Sequence, residues 1–241
     1  MSQTVLIRVQ ALSKVFGLRP ALRNLSFEVE RGELVALLGA NGSGKTTLLR
    51  ILAALSKPTS GMVVVGGWQL PKEALAVRGY IGVVTHLPLL YDDLSAAENL
   101  QLYAQLYNLP HELGKHNLEM RIRDSLARVG LLKRAGDRVR TFSRGMQQRL
   151  ALARAVLHDP DILLLDEPYT GLDASGSALL DALIAEWHAR GRTIIAALHD
   201  LARAAALCRR ALILANGRLA ADLAMPSAET LFEAFNTLTP N

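Results

Sequence analysis

Residues Gly39 to Thr47 read GANGSGKTT, which places Gly39, Gly44, Lys45 and Thr46 in the order G-x-x-x-x-G-K-[ST]. Binding an anionic polyphosphate calls for several converging backbone N–H donors, and glycines at 39, 42 and 44 let the chain come that close. Lys45 adds a full positive charge and Thr46 a hydroxyl for Mg²⁺. With this chain's own Gly, Lys and Ser plus Thr frequencies, the template would arise by chance about 0.003 times over its length. A glycine-rich turn without a ligand is therefore the weaker reading. The candidate nucleotide-binding set in this loop is Gly39, Asn41, Gly42, Ser43, Gly44, Lys45, Thr46 and Thr47.

Two further groups can do chemistry. The apolar run Ile162 to Leu165 ends on Asp166 and Glu167, and the strand-like run from Thr193 ends on His199 and Asp200. Doubly wound sheets bind ligands beyond the carboxyl ends of their strands, so these groups are expected beside the phosphate loop. Asp166 suits a Mg²⁺ partner. Glu167 suits the base that orients and deprotonates an attacking water, and His199 a contact to the γ-phosphate. Taken singly, an acidic pair can be a solvated strand end and a histidine a satisfied core residue. Their joint occurrence behind a well-formed phosphate loop favours chemistry.

The elements around these residues follow from pattern. The run GELVALLG before the loop is apolar and strand-like, and TTLLRILAAL after it is apolar at helical spacing. A helix there would point its positive N-terminal end at the phosphates. Upstream, TVLIRVQAL and LRNLSFEVE read as an antiparallel start, with a tight turn over Glu30 to Glu33. Phe16 lies at a strand end, where an adenine ring could stack or where a core aromatic could sit. Lys57 to Gly61 breaks the first helix, MVVVGGWQL is β-prone, and GYIGVVTH (79–86) reads as a buried strand. Residues 87–158 carry leucine and alanine at helical spacing, which predicts an inserted helical subdomain. The α/β pattern returns near 160. Leu179, Leu180, Leu183, Ile184 and Trp187 are expected to line one helix face, and Asn216-Gly217 to turn a hairpin. From Pro226 a short amphipathic tail is expected.

Composition narrows the class. The chain has 241 residues, half of them apolar, enough for one large domain. No run reaches the ~18 apolar residues of a membrane span, and Met1 to Phe16 carries no leader pattern. Cys208 alone cannot form an internal disulfide, so a soluble protein of a reducing, cytoplasmic setting is expected, with the thiol as a small buried hydrophobe. The net charge is +5, and Arg121 to Arg154 holds ten basic residues against Asp124 and Asp137, with Glu119 just before the span. That excess could face nucleotide, an acidic partner or anionic lipid, or be a solvated helix face. Nucleic acid is not expected, because aromatics make up only 5% of the chain and none are interleaved with the cluster.

The order of these pieces resembles the nucleotide-binding domain of ABC transporters along nearly the whole chain. Phe142 to Arg149 (FSRGMQQR) resembles the family signature, usually LSGGQ, and Thr170-Gly171-Leu172-Asp173 resembles the D-loop. His199 falls on the family's switch histidine and Phe16 on its adenine-stacking aromatic. The resemblance implies an α/β P-loop NTPase core (RecA-like, mainly parallel sheet) with an antiparallel β subdomain, over 1–86 and 159–241, and a helical subdomain carrying the signature at 87–158. It also implies an ATPase that uses ATP and Mg²⁺ (Thr46, Asp166), with Glu167, His199 and Lys45 catalytic. Ser143, Arg144 and Gly145 would act in trans in a homodimer, or in a pair with a second ATPase subunit. Transmembrane subunits would hold it at the cytoplasmic face of the plasma membrane. No NKxD guanine-reading motif occurs, so ATP is expected over GTP.

Two departures stand out. His86 takes the Q-loop position of a glutamine, where imidazole is bulkier and titratable. Arg144 and Met146 replace a glycine and a glutamine of the signature, and Arg144 could add a cationic contact in trans or point to solvent. LLYDDLSAAENL, RVRTFSRGMQQRLALARA and LDEPYTGLD together look most like the ATPase subunit of the bacterial haem exporter of cytochrome c biogenesis. Exporters of drugs, lipids or other small molecules, and a soluble ABC-type ATPase acting on nucleic acid or ribosomes, are the alternatives.

Overall fold

The computed structural model describes residues 4–224 and 226–238; residues 1–3, 225 and 239–241 of the expected single domain lie outside the described residues. Strands β1 (Val5–Phe16), β2 (Arg19–Glu30), β4 (Ser60–Val65) and β5 (Trp68–Leu70) form an antiparallel sheet in the order β2-β1-β4-β5. A second sheet contains β3 (Leu34–Leu38), β6 (Ile81–Val84), β7 (Ile162–Asp166), β8 (Thr193–Ala197), β9 (Arg210–Ala215) and β10 (Arg218–Ala224). Its order is β10-β9-β3-β8-β7-β6; the five strands from β9 to β6 are parallel and β10 is an antiparallel edge.

Every residue of β3, β7 and β8 is buried. Strands covered on both faces read as unbroken apolar runs, which is why these segments show no alternation. Alternation reappears in packing. Leu34, Ala36 and Leu38 face one core with Leu163, Leu165, Ile194 and Ala196, while Val35 and Leu37 face the other with Ile162, Leu164 and Ile195. The second core is closed by the antiparallel sheet and by α1 (Lys45–Leu52). The first is closed by α3 (Ala96–Leu106), α5 (Lys115–Arg128), α6 (Arg144–Val156), α7 (Ala174–Ala189), α8 (Leu201–Leu207) and α9 (Ala228–Leu238). Two short helices, α2 (Ala74–Tyr80) and α4 (Leu109–Leu113), complete the set.

The strand expected over 79–86 is shorter than its apolar run. Gly79 and Tyr80 end α2, and pairing begins at Ile81 opposite Ile162. The cause is local: Tyr80 turns its carbonyl to Asp161 N at 3.2 Å and its hydroxyl to Arg31 at 2.8 Å, which fixes the corner ahead of the ladder. The Glu30–Glu33 turn and the Asn216-Gly217 hairpin form as expected, and the tail from Pro226 forms α9 with Leu231 buried. Cys208 is buried, which pushes its thiol up to about 12. Among the described residues no helix is long and apolar enough to cross a membrane.

The basic cluster is not one open patch. Arg128 pairs with Glu186, Arg134 with Asp137 and Arg140 with Asp93. Arg154 is buried, donates to the Val83 carbonyl at 2.6 Å and lies over the Tyr103 ring.

Candidate nucleotide and hydrolysis site

The sheet order β3-β8-β7 brings three strand ends side by side, and each continues into one part of the site. After β3 comes the phosphate loop, and then α1. A Cβ on Gly39 (φ 148°) would lie 2.3 Å from the Leu214 carbonyl oxygen, and one on Gly44 (φ 109°) 2.6 Å from Leu22 Cδ2. Both glycines therefore serve the loop's seating on β9 and β2 as well as any approach of phosphate. Gly217 N donates to Ser43 O at 3.1 Å and Arg23 N to Gly217 O at 2.7 Å, so the loop is tied to the β9–β10 turn and to β2.

Several polar groups in the loop are spare. Side-chain capping is absent at the N-terminus of α1, which leaves first-turn N–H groups for an anion. The Ser43 hydroxyl is buried and makes no hydrogen bond among the described residues, and an orphaned buried hydroxyl is costly unless a ligand satisfies it. Lys45 is buried and donates from Nζ to the carbonyls of Gly39 (2.7 Å) and Ala40 (3.1 Å). Burial pulls its ammonium below the ordinary range, against the opposing charges of Glu167 and Asp166. Asn41 and Gly42 are exposed, and Thr47 is half-buried.

Asp166 ends β7, is buried, and accepts from Thr46 Oγ1 at 3.1 Å. Burial pushes its carboxyl above the usual range; the Thr46 hydrogen bond pulls down and the Glu167 charge pushes up. Glu167 sits at φ 51° and its N–H donates to Ala197 O at 3.2 Å, which aims its side chain towards the end of β8. There His199 Nε2 lies 2.7 Å from Glu167 Oε1. Two predicted groups from different strands thus meet directly.

Phe16 is 54% exposed at the end of β1, with Lys14 Nζ 4.7 Å from its ring centroid. It pairs with Arg19 across the hairpin, and two residues further along β2 Ala21 and Leu22 back the phosphate loop. His86 lies two residues beyond β6 and is exposed. It lines a recess of about 200 Å³ with Thr46, Arg50 and Leu89, and its charge pulls Asp166 down.

Ser143 is the N-cap of α6, accepting from Met146 N at 3.3 Å. Ser143 and Arg144 are exposed. The Arg144 stem lies against Gly171, since a Cβ there would meet Arg144 Cγ and Cδ at 2.9 Å. Gly145 packs on the same residue: its Cβ would lie 3.0 Å from the Gly171 carbonyl oxygen. Asp173 caps α7 by accepting from Gly176 N at 2.7 Å. Residues 142–149 and 170–173 are thus packed together within one chain.

Sequence reading missed Gln148, whose buried amide donates to Pro168 O at 3.0 Å, and it missed the contacts Tyr169 makes with Asp181 and Arg203. A pattern search has little to find there, because each partner comes from a distant helix.

A family model described as ABC transporter matches residues 22–170. The chain is 38% identical over 215 residues to the ABC transporter ATP-binding protein NatA of Bacillus subtilis, covering 89% of this chain and 85% of that protein. It is 35% identical over 218 residues to the Nod factor export ATP-binding protein I of Ralstonia nicotianae (90% and 67% covered). To the linearmycin resistance ATP-binding protein LnrL of Bacillus subtilis it is 32% identical over 216 residues (90% and 68%). Among solved structures, an ATP-binding subunit of an ABC transporter superposes with a TM-score of 0.86 at 30% identity, covering 96% of this chain and 99% of that one. The cassette MJ0796, solved as a dimer in a post-hydrolysis state with ADP and Pi, superposes at 0.82 with 26% identity (92% and 100%). The chain belongs to the ABC transporter family, as one of its ATP-binding subunits and an ATPase.

Proposed function

We propose that this chain couples ATP hydrolysis to export through separate transmembrane subunits, working as a head-to-tail homodimer or beside a second ATPase subunit. The observation that carries the reading is the His199–Glu167 contact at 2.7 Å past the ends of β8 and β7, next to Asp166 at the end of β7, which Thr46 of α1 meets at 3.1 Å. The loop N–H groups, Ser43 and Lys45 take the phosphates and Phe16 the adenine. Thr46 and Asp166 fit a Mg²⁺ that draws its remaining ligands from water and phosphate, because the described residues hold no all-protein cluster of metal ligands. Bound there, the ion would neutralise charge on the terminal phosphates.

In the hydrolytic step Glu167 accepts a proton from water as the water oxygen bonds to the γ-phosphorus, and the bond from that phosphorus to the β–γ bridging oxygen breaks. The products are ADP and inorganic phosphate. His199 orients the Glu167 carboxylate and the γ-phosphoryl oxygens. Ser143, Arg144 and Gly145 close on ATP from the partner copy; within one chain Ser143 and Gly145 are engaged with α6 and with Gly171. We take residues 87–158 as the helical subdomain that carries this surface, His86 as its hinge and Asp173 as its D-loop end. The membrane subunits would keep the protein at the cytoplasmic face.

For the cargo, the stretches 89–100, 138–155 and 165–173 support the haem exporter of cytochrome c biogenesis. The Nod factor and linearmycin names of the relatives favour the alternative, an exporter of another small molecule. A nucleic-acid role is disfavoured because Arg128, Arg134 and Arg140 are paired with acidic side chains at the surface and Arg154 is buried.

The test is turnover of MgATP by the purified chain and by Glu167→Gln. Hydrolysis that falls to background in the variant, with ATP still bound, supports the reading. Turnover retained by Glu167→Gln overturns it.

A further inference from the structure

The segment leaving Glu167 is held by side chains outside the nucleotide-binding set. Tyr169 Oη donates to Asp181 Oδ1 of α7 at 2.5 Å. The Arg203 guanidinium of α8 lies over the Tyr169 ring, 4.1 Å from its centroid, with Nε 3.7 Å from the same Asp181 oxygen. Asp200, the residue after His199, accepts from Arg203 N at 3.0 Å. A continuous chain of contacts therefore runs from the neighbour of His199, through Arg203, to a residue two positions after Glu167.

Geometry gives this chain work to do. Glu167 holds a left-handed φ of 51°, a conformation that a non-glycine residue keeps only when its surroundings over-determine it. Its own N–H bond to Ala197 O fixes one side of the turn. The other side, Pro168 and Tyr169, is fixed by Gln148, Asp181 and Arg203. Between the two turns lies a recess of about 220 Å³ lined by Glu167, Tyr169, Thr170, His199, Asp200 and Arg203. Loosening one wall would let the Glu167–His199 pair separate. Burial and the Asp181 hydrogen bond keep the Tyr169 hydroxyl protonated and donating.

We propose that Tyr169, Asp181 and Arg203 are positioning residues for ATP hydrolysis: they lock the Glu167 turn against the His199 turn and so set the rate of the chemical step without contributing to ATP affinity. The inference rests on the reading of Glu167 and His199 as the hydrolytic pair.

The experiment measures kcat, KM for MgATP and Tm for the full chain carrying Arg203→Ala, Arg203→Lys or Tyr169→Phe, each alone and in a His199→Ala background, with Glu167→Gln as control. Arg203→Ala is expected to lower kcat about tenfold while KM stays within about twofold, since misplacing a catalytic group by ångström fractions acts on the chemical step. Arg203→Lys restores part of the loss, and Tyr169→Phe, which keeps the ring but loses the hydroxyl, falls between. In the His199→Ala background the Arg203→Ala effect shrinks to less than about twofold, because coupled residues are non-additive. Wild-type kcat in both Arg203→Ala and Tyr169→Phe, or an undiminished effect without His199, overturns the proposal. If Arg203→Ala fails to fold, Tyr169→Phe decides alone by the same kcat and background criteria. Turnover retained by Glu167→Gln would instead sink the assignment of the pair itself, a different failure from a network that does nothing.

Discussion

Glu167 and His199 lie 32 positions apart, on the ends of the neighbouring parallel strands β7 and β8, and touch at 2.7 Å. Neither residue is distinctive by itself; the pairing of the two strands makes them one unit. His199→Ala is expected to lower kcat about 10²-fold while ATP binding persists, the size usual for loss of one positioned contact to charge developing in the transition state. Steady-state turnover alongside nucleotide titration measures both, and unchanged kcat would remove His199 from the mechanism.

Ser43 separates stability from binding. Its hydroxyl is buried and unbonded among the described residues, so Ser43→Ala is expected to leave the free protein as stable, or up to about 1 kcal/mol more stable. With Ser43 as the proposed donor to a charged phosphate, the same change is expected to weaken ATP about tenfold. Urea unfolding and equilibrium titration decide it. A less stable variant with unchanged affinity would mean that the hydroxyl serves the fold.

The glycines of the loop should not be equivalent. A Cβ at Gly39 meets the Leu214 carbonyl at 2.3 Å, whereas one at Gly42 meets nothing within 4 Å. Gly39→Ala is expected to cost about 2–4 kcal/mol through backbone displacement. Gly42→Ala should cost only about 1 kcal/mol, from its left-handed φ of 80°. Equal losses in denaturant unfolding would contradict the packing described.

His158 gives a pH dependence of known sign. Its ring stacks on Tyr107 with centroids 3.8 Å apart, and its Nε2 lies 3.1 Å from Ile81 O. Burial lowers its pKa to about 4, helped by Arg154 and Arg121 and opposed by the Ile81 hydrogen bond and Asp159. The unfolded chain binds this proton near pH 6.5 and the folded one only near 4. Stability is therefore full above about pH 6.5 and falls as pH drops towards 4, by ~3 kcal/mol for this group. Unfolding free energies of the wild type and His158→Gln at pH 7 and pH 4 should diverge by that amount; parallel slopes would refute it.

Much of this was legible from pattern, for physical reasons. ILLLD and TIIAA read as strands because burial on both faces removes alternation, and the phosphate loop stood out because its chemistry demands a contiguous stretch. What was not legible depends on side chains meeting across helices. Tyr169, Asp181 and Arg203 come from three segments, and the partners of Arg128 and Arg140 lie 58 and 47 positions away. The run 79–86 misled because Gly79 and Tyr80 are compatible with a strand, while Tyr80's bonds to Arg31 and Asp161 end a helix there. The requirement at Gly39 and Gly44 was visible, yet half of its cause, close packing on β9 and β2, belongs to the fold.

The central claim is a site shared between two copies, with Glu167 as the base that ends each closed state. Light scattering of the Glu167→Gln chain tests it most directly. With MgATP that variant is predicted to show twice the mass of one chain and to revert when ATP is removed, while adding Ser143→Arg abolishes the dimer and leaves ATP bound. A chain that stays monomeric with ATP bound, or a dimer indifferent to Ser143, would contradict the shared site.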